Sequence, residues 1–175
     1  MKTTTVFVTI VMMLTAGAGF VAVQAADHED GPITGKAPDF TLKDVEGNEV
    51  KLSQFKDKIV VLEWMNYDCP FVKAHYNDEV HTMKDLAAKY ADEGVVWLTI
   101  NSTHYTTPES NKEWAEQQDI KHQRLLLDTD GKVGKLYHAK TTPHMFIINK
   151  NGHIVYQGAI DNAQMGSKPD DYVNY

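Results

Sequence analysis

The sequence predicts an α/β domain: a central mixed sheet flanked by helices, with a β-hairpin at its N-terminal end. Three observations lead there. Two runs, Ile59–Met65 and Val95–Ile100, are β-branched and almost continuously apolar, as strands buried on both faces are. Between them apolar residues recur at every third and fourth position, the helical period. Strands that alternate with helices in this way pair in parallel through right-handed crossovers.

Each element follows in chain order. Residues 26–36 are polar, with two glycines and a proline, and form a loose leader. Ala37–Leu42 alternates apolar and polar and reads as a short edge strand with Pro38 near its start. Gly47-Asn48 is a turn signal and Glu49–Leu52 the returning strand. Ser53 is placed to cap a short helical turn through Phe55. After the strand Ile59–Met65, Asn66–Cys69 forms a loop. Asp68 suits the cap of the following helix and Pro70 its first turn. Val72, Tyr76, Val80, Met83, Leu86, Ala87 and Tyr90 then mark one face of a single helix of about five to six turns. Gly94 closes it. Pro108 opens a helix running to about Gln118, and His122–Leu127 is a third buried strand. Asp128–Gly131 is a turn, Val133–Tyr137 a short helix and His144–Ile148 a fourth strand. Asn151-Gly152 is a hairpin turn that leads into the partner strand His153–Gly158. Pro169 opens a last helix that stops with the chain at Tyr175. Such a helix is too short to cover a sheet face, so the C-terminal helix reads as truncated and the chain as a fragment.

The 175 residues suit one domain preceded by a leader. Sixteen of the first 25 residues are apolar, and Lys2 is the only charge among them. With small residues at Val23–Ala26, residues 1–25 read as a secretory signal cleaved after Ala25 or Ala26. The alternative is an uncleaved membrane anchor, although Thr9, Thr15, Gly17 and Gly19 dilute the stretch. No Cys follows that stretch, which argues against a lipoprotein. The expected destination is outside the cytoplasm, in a bacterial periplasm. Residues 26–175 are enough to bury roughly 70% of the unfolded surface without a disulfide scaffold. They contain no further run of about 18 apolar residues, so no membrane contact is expected once the leader is removed. The net charge is −7, and the positive residues are scattered, with Arg124 the single arginine. A nucleic-acid partner, which needs a basic patch, is not expected.

Cys69 is the only cysteine, so no internal disulfide is available to the chain. It lies between a buried strand and the start of a helix, where backbone N–H groups and the helix dipole favour an anion. That position points to a reactive thiolate; the alternative is an inert, buried thiol. Glu63 shares a strand face with Val61 and Met65. A carboxylate there is costly to bury and has a raised pKa, suited to proton transfer beside the thiol. The alternative is an exposed or Lys-paired carboxylate. Thr142-Pro143 precedes a strand, where the proline marks either an edge or a cis bond. Tyr67, Phe71 and Tyr76 form either a docking surface or helix-packing core. A metal site from Cys69 and His144 falls short of three or four ligands. Asp128–Gly131 lacks the further ligands of a calcium loop, and Asn101-Ser102-Thr103 is a glycosylation sequon by letter only. No metal and no cofactor is therefore expected.

Four segments carry a resemblance: APDFTL (37–42), VVLEWMNYDCPFVKAHY (60–76), VVWLTINST (95–103) and KTTPHMFIINKNGHIVYQGAID (140–161). They resemble the thioredoxin-like superfamily in its redoxin branch, that of alkyl hydroperoxide reductase and thiol-specific antioxidant (AhpC/TSA) proteins. The resemblance implies a thioredoxin-like fold and an exported, thiol-dependent oxidoreductase with antioxidant activity. It implies Cys69 as nucleophile, Glu63 as the buried acid six residues earlier, and Pro143 as a cis-proline with Thr142 facing the thiol. Pro70 and Asn66 flank the nucleophile in supporting places. Val72 stands where thioredoxins carry the resolving Cys, and Lys73 where copper-chaperone relatives carry theirs. Leu62 and Asn66 replace the Pro and Thr of the peroxiredoxin motif, and no Arg follows Arg124 to steady a peroxide. The implied partners are a peroxide or a disulfide and an external thiol reductant. The rival activities are thiol–disulfide exchange and a non-catalytic binding module.

Overall fold

The computed structural model describes residues 32–77 and 81–162 together with 171, 173 and 175. The leader and the helix expected from Pro169 lie outside the described residues. Among the described residues, eight strands form one mixed sheet. They are β1 (Gly35–Lys36), β2 (Thr41–Asp44), β3 (Glu49–Lys51), β4 (Val60–Met65), β5 (Val96–Asn101), β6 (Gln123–Leu127), β7 (His144–Ile148) and β8 (His153–Gly158). Their order across the sheet is β1-β8-β7-β4-β5-β6-β2-β3. β4, β5 and β6 run parallel, while β7 lies antiparallel to β4 and the β2–β3 hairpin antiparallel to β6. The helices are α1 (Pro70–Tyr76), α2 (Thr82–Ala91), α3 (Pro108–Gln118) and α4 (Lys132–Leu136). This is the α/β, thioredoxin-like arrangement that the sequence predicts.

All six residues of β4 are buried, and their alternation builds two cores. Val60, Leu62 and Trp64 point to one face, where Phe40, Tyr137 and Phe146 pack with them. Val61 and Met65 point to the other, against Val72 and Tyr76 of α1, Met83 and Ala87 of α2, and Trp114 of α3. α1, α2 and α3 therefore cover one face of the sheet, and α4 packs on the other together with Phe40 and Leu52.

Four local expectations are corrected. The single long helix is two, α1 and α2, because Asn77 takes an extended backbone (φ −70°, ψ 167°). Asn competes well for non-helical hydrogen bonds. Both helices feed apolar residues into the same core, so the helical period runs on across the break. The first hairpin strand begins at Thr41, not Ala37; the N–H of Ala37 instead donates to the Gly152 carbonyl across the sheet edge (2.8 Å). Its turn is built by Asp44, whose Oδ1 accepts from the N–H of Glu46 and of Asn48, and by Gly47 at φ 85°. Ser53 lies inside a 3-10 turn (Leu52–Phe55) and donates its N–H to Asp39 instead of capping. Asp68 does not cap α1 either. Pro70 occupies the first helical position, a place that suits proline, and this makes Cys69 the N-cap.

Candidate functional site

Asn66 shapes the loop that carries the thiol. Its carbonyl accepts from the N–H of Cys69 at 2.9 Å, and its side-chain oxygen accepts from the N–H of Asp68 at 2.8 Å. These bonds close a tight turn at the end of β4 and deliver Cys69 to the N-terminus of α1. The Asn66 amide donates to the Tyr105 hydroxyl, which in turn donates to Asp68 (both 3.2 Å). Asp68 also pairs loosely with Lys73 at 3.9 Å. Tyr105 comes from the β5–α3 connection, and nothing in its sequence neighbourhood marks it as a partner of the Cys69 loop.

The Cys69 thiol is partly exposed and lies 3.1 Å from the Thr142 carbonyl oxygen. The Thr142–Pro143 peptide is cis, and the β4–α1 and α4–β7 connections meet at the sulfur. Several groups act on the thiol. Partial burial pushes its pKa up, and donation to the Thr142 carbonyl also favours the protonated form. The Thr142 side chain, the N–H groups of Val72 and Phe71 and the Lys73 ammonium favour the thiolate. The balance holds Cys69 below an ordinary thiol, as expected at a helix N-terminus. Val72, three residues on, is 1% exposed and packs into the core under α1. His144, just after the cis peptide, is buried against Phe146. Burial, then repulsion from Lys140, lowers its pKa.

Glu63 is fully buried on the same sheet face as α1. Its Oε2 accepts from Trp97 Nε1 (2.8 Å), Tyr76 Oη (3.0 Å), Gln123 Nε2 (3.1 Å) and Thr99 Oγ1 (3.3 Å). Its Oε1 accepts from Tyr76 at 2.9 Å. Burial pushes the carboxyl up to about 7, against the pull of these donors. Such a group holds or releases a proton near neutrality. Among the described residues these four are its donors, and the Cys69 thiol is not one of them. The two groups are linked through α1, which has Cys69 as its N-cap and Tyr76 as its last residue.

The structure thus brings Cys69, Asn66, Pro70, Thr142 and Pro143 to one end of the sheet, with Glu63 beneath α1. Phe71 is exposed at the rim. Tyr76 belongs to the core, and Tyr67 stacks on Trp114 and shares a hydrogen bond with Ser110. Sequence reasoning missed Trp97, Thr99 and Gln123 as partners of Glu63. Thr99 pairs directly with Glu63 in the β4–β5 register, which no local sequence pattern marks. Among the described residues no three His, Cys, Asp or Glu side chains converge as a metal site.

Known proteins are similar to this chain in sequence and in fold. The chain is 28% identical over 169 residues to thiol-disulfide oxidoreductase ResA of Bacillus cereus (strain ATCC 10987 / NRS 248), covering 95% of this chain and 92% of that protein. A hypothetical protein from Sinorhizobium meliloti 1021 superposes with a TM-score of 0.72 at 28% identity, over 80% of this chain and 78% of its own. A putative thiol:disulfide interchange protein DsbE from Chlorobium tepidum superposes with a TM-score of 0.63 at 26% identity, over 73% of this chain and 86% of its own. The AhpC/TSA family model matches residues 33–157, from the first strand to the last and through both connections that meet at the sulfur. By that match, the chain belongs to the AhpC/TSA family.

Proposed function

We propose that the protein is a thiol–disulfide exchange protein that works with one thiol. The observation that carries this reading is Cys69 alone at the N-terminus of α1, against the Thr142 carbonyl and with its pKa lowered. In the first step the Cys69 thiolate attacks a disulfide R–S–S–R′. The Cys69–S–R bond forms, the S–S bond breaks, and R′S⁻ leaves and takes up a proton. Val72 occupies the place of a resolving thiol, so a second, external thiol R″SH completes the cycle. It attacks the mixed disulfide, forms R–S–S–R″ and releases Cys69. Glu63 serves as the buried proton store under α1. The leader 1–25 assigns the work to an exported location. Relatives named as oxidoreductases of thiols and disulfides favour exchange. Asn66 and the absence of any Arg after Arg124 weaken the peroxide reading.

The test is the rate of thiol loss with 2-hydroxyethyl disulfide and with hydrogen peroxide in parallel, with Cys69→Ser as blank. Loss with the disulfide faster than for free cysteine is expected. Acceleration with peroxide alone, or with neither, overturns the reading.

A further inference from the structure

A cavity of about 520 Å³ lies at the end of the sheet away from the thiol. Val60, the first residue of β4, lines it, whereas Cys69 follows the last, Met65. The two ends of that strand are roughly 17 Å apart. The volume is that of a small-molecule site. The walls come from the β3–β4 connection, the β7–β8 turn and residues 36–37. The core residues Leu52, Val60 and Ile148 line it from within, and the half-buried Phe55 and Ala37 complete its apolar part. The β7–β8 turn is held in place. Asn149 Oδ1 accepts from the N–H groups of Asn151 and His153 (both 3.0 Å), and the Gly152 carbonyl accepts from that of Ala37 (2.8 Å).

The rim is basic. Lys36, Lys56, Lys58 and Lys150 line the cavity and are exposed. Among the described residues none of their ammonium groups pairs with a carboxylate. Two acids, Asp39 and Asp57, line it as well. Asp39 is committed: its Oδ1 accepts from the N–H of Ser53 (2.9 Å) and its Oδ2 pairs with Lys51 (3.6 Å). That leaves Asp57 to answer the lysines. In a chain of net charge −7 such an excess is local. The cavity beside α3 and β6 is balanced by contrast, with Lys112, Lys121 and Arg124 against Glu46, Glu116 and Asp119.

Unpaired lysines around an apolar floor select for two properties at once. The rim attracts an anionic head, and an apolar chain covers side chains that water otherwise meets. A bare anion leaves the floor uncovered, and an apolar cation meets like charges. We propose that this cavity binds a small amphiphilic carboxylate of the medium-chain fatty acid class. Its head lies among Lys36, Lys56, Lys58 and Lys150 and its chain against Leu52, Phe55, Val60 and Ile148. The site is separate from the exchange reading, since it uses none of the residues around Cys69. Its concave shape takes a single chain, whereas a membrane presents a flat layer of headgroups.

The experiment is isothermal titration calorimetry of the intact protein with three probes below their micelle concentrations. They are decanoate (anion and chain), acetate (anion alone) and decyltrimethylammonium (cation and chain). Decanoate is expected to saturate one site about tenfold more tightly than either control, and more weakly as salt is raised. In Lys58→Gln/Lys150→Gln, two exposed positions on different walls, its Kd should rise about tenfold, the combined effect of two charge contacts at an open site. Cys69→Ser should bind decanoate as the wild type does. Residues 6–23 are uncharged and largely apolar and would take up either alkyl probe alike, so equal affinity for decanoate and decyltrimethylammonium overturns the inference. Acetate as tight as decanoate overturns it too, as does no decanoate binding at all. An unchanged Kd in the double variant, or binding lost in Cys69→Ser, overturns the location. Capture by phosphatidylglycerol vesicles of a protein that binds no free decanoate would make this face a membrane contact and overturn the inference.

Discussion

The two faces of β4 are equally buried and do opposite things. On one face Val60, Leu62 and Trp64 pack into an apolar and aromatic cluster, with Trp64, Tyr137 and Phe146 rings 5.2–5.6 Å apart. The one polar atom of that ring cluster near β4, Trp64 Nε1, donates to Ser102. On the other face the middle residue is Glu63, a carboxyl in a fully buried position with four donors gathered round it. Burying a carboxylate is unfavourable even when it is hydrogen-bonded, and a leucine would fill the place without that cost. The face under α4 therefore supplies stability. The face under α1 gives some up to keep a titratable group below the helix that carries the thiol.

The largest effect that sharpens this contrast is on the apolar face. Phe146 is fully buried among Trp64, Tyr137 and His144. Phe146→Ala should cost about 3–5 kcal/mol by lost transfer and residual cavity, read as a lower denaturation midpoint. The rate of Cys69 alkylation in the folded protein should stay within about twofold, because Phe146 packs on the sheet face opposite α1. A large change in that rate would mean the two faces are coupled.

Glu63→Gln comes next. The folded carboxyl titrates near 7, above its ordinary value of 4.5, so the folded state holds the proton more tightly than the unfolded chain. Its contribution is fully present below about 4.5 and is lost as pH rises through about 7. That amounts to about 3 kcal/mol across the window. Denaturation at pH 4.5 and at pH 8 should show the wild type losing this stability and Glu63→Gln losing much less. Parallel pH profiles would remove Glu63 from the account of the α1 face.

How much of this was legible in the sequence follows from the same two faces. β4 was readable because a run apolar on both sides has few alternatives to a central strand. The Cys69 position was readable because Pro70 and the apolar period mark a helix start locally. The break at Asn77 was not, since α1 and α2 present their apolar residues to one core and the period shows only the core. The partners of Glu63 were not either. Trp97, Thr99 and Gln123 lie 34 to 60 residues away and arrive through the parallel register of β4, β5 and β6, which no local pattern encodes.

A smaller effect tests how the donors are shared. Tyr76→Phe removes the one donor to Glu63 Oε1 among the described residues and the hydroxyl that accepts from Gln123 (2.8 Å). It should cost about 1–3 kcal/mol, the penalty of leaving buried polar groups unpaired. It should also move the pH-dependent loss of stability upward, since one group favouring the carboxylate is gone. A variant with wild-type stability and the same pH midpoint would show that the remaining donors suffice.

The smallest expected change in stability carries the sharpest functional reading. Val72 is 1% exposed in the first turn of α1, three residues beyond Cys69. Cysteine is smaller and apolar enough for that place, so reduced Val72→Cys should lose only about 1 kcal/mol, as for removal of one or two buried methyl groups. Its chemistry should change in kind. On the proposed exchange reading, a small disulfide should leave a mixed disulfide on the wild-type Cys69 that lasts until an external thiol arrives. In Val72→Cys, the introduced thiolate attacks the Cys69 sulfur of that mixed disulfide. An internal disulfide to Cys69 forms, and the small thiol leaves. Mass spectrometry after exposure to 2-hydroxyethyl disulfide should show one retained adduct on the wild type and none on the variant, which should also have lost both free thiols. An adduct retained on Val72→Cys would mean that the geometry of α1, and not the missing second sulfur alone, keeps this site to a single thiol.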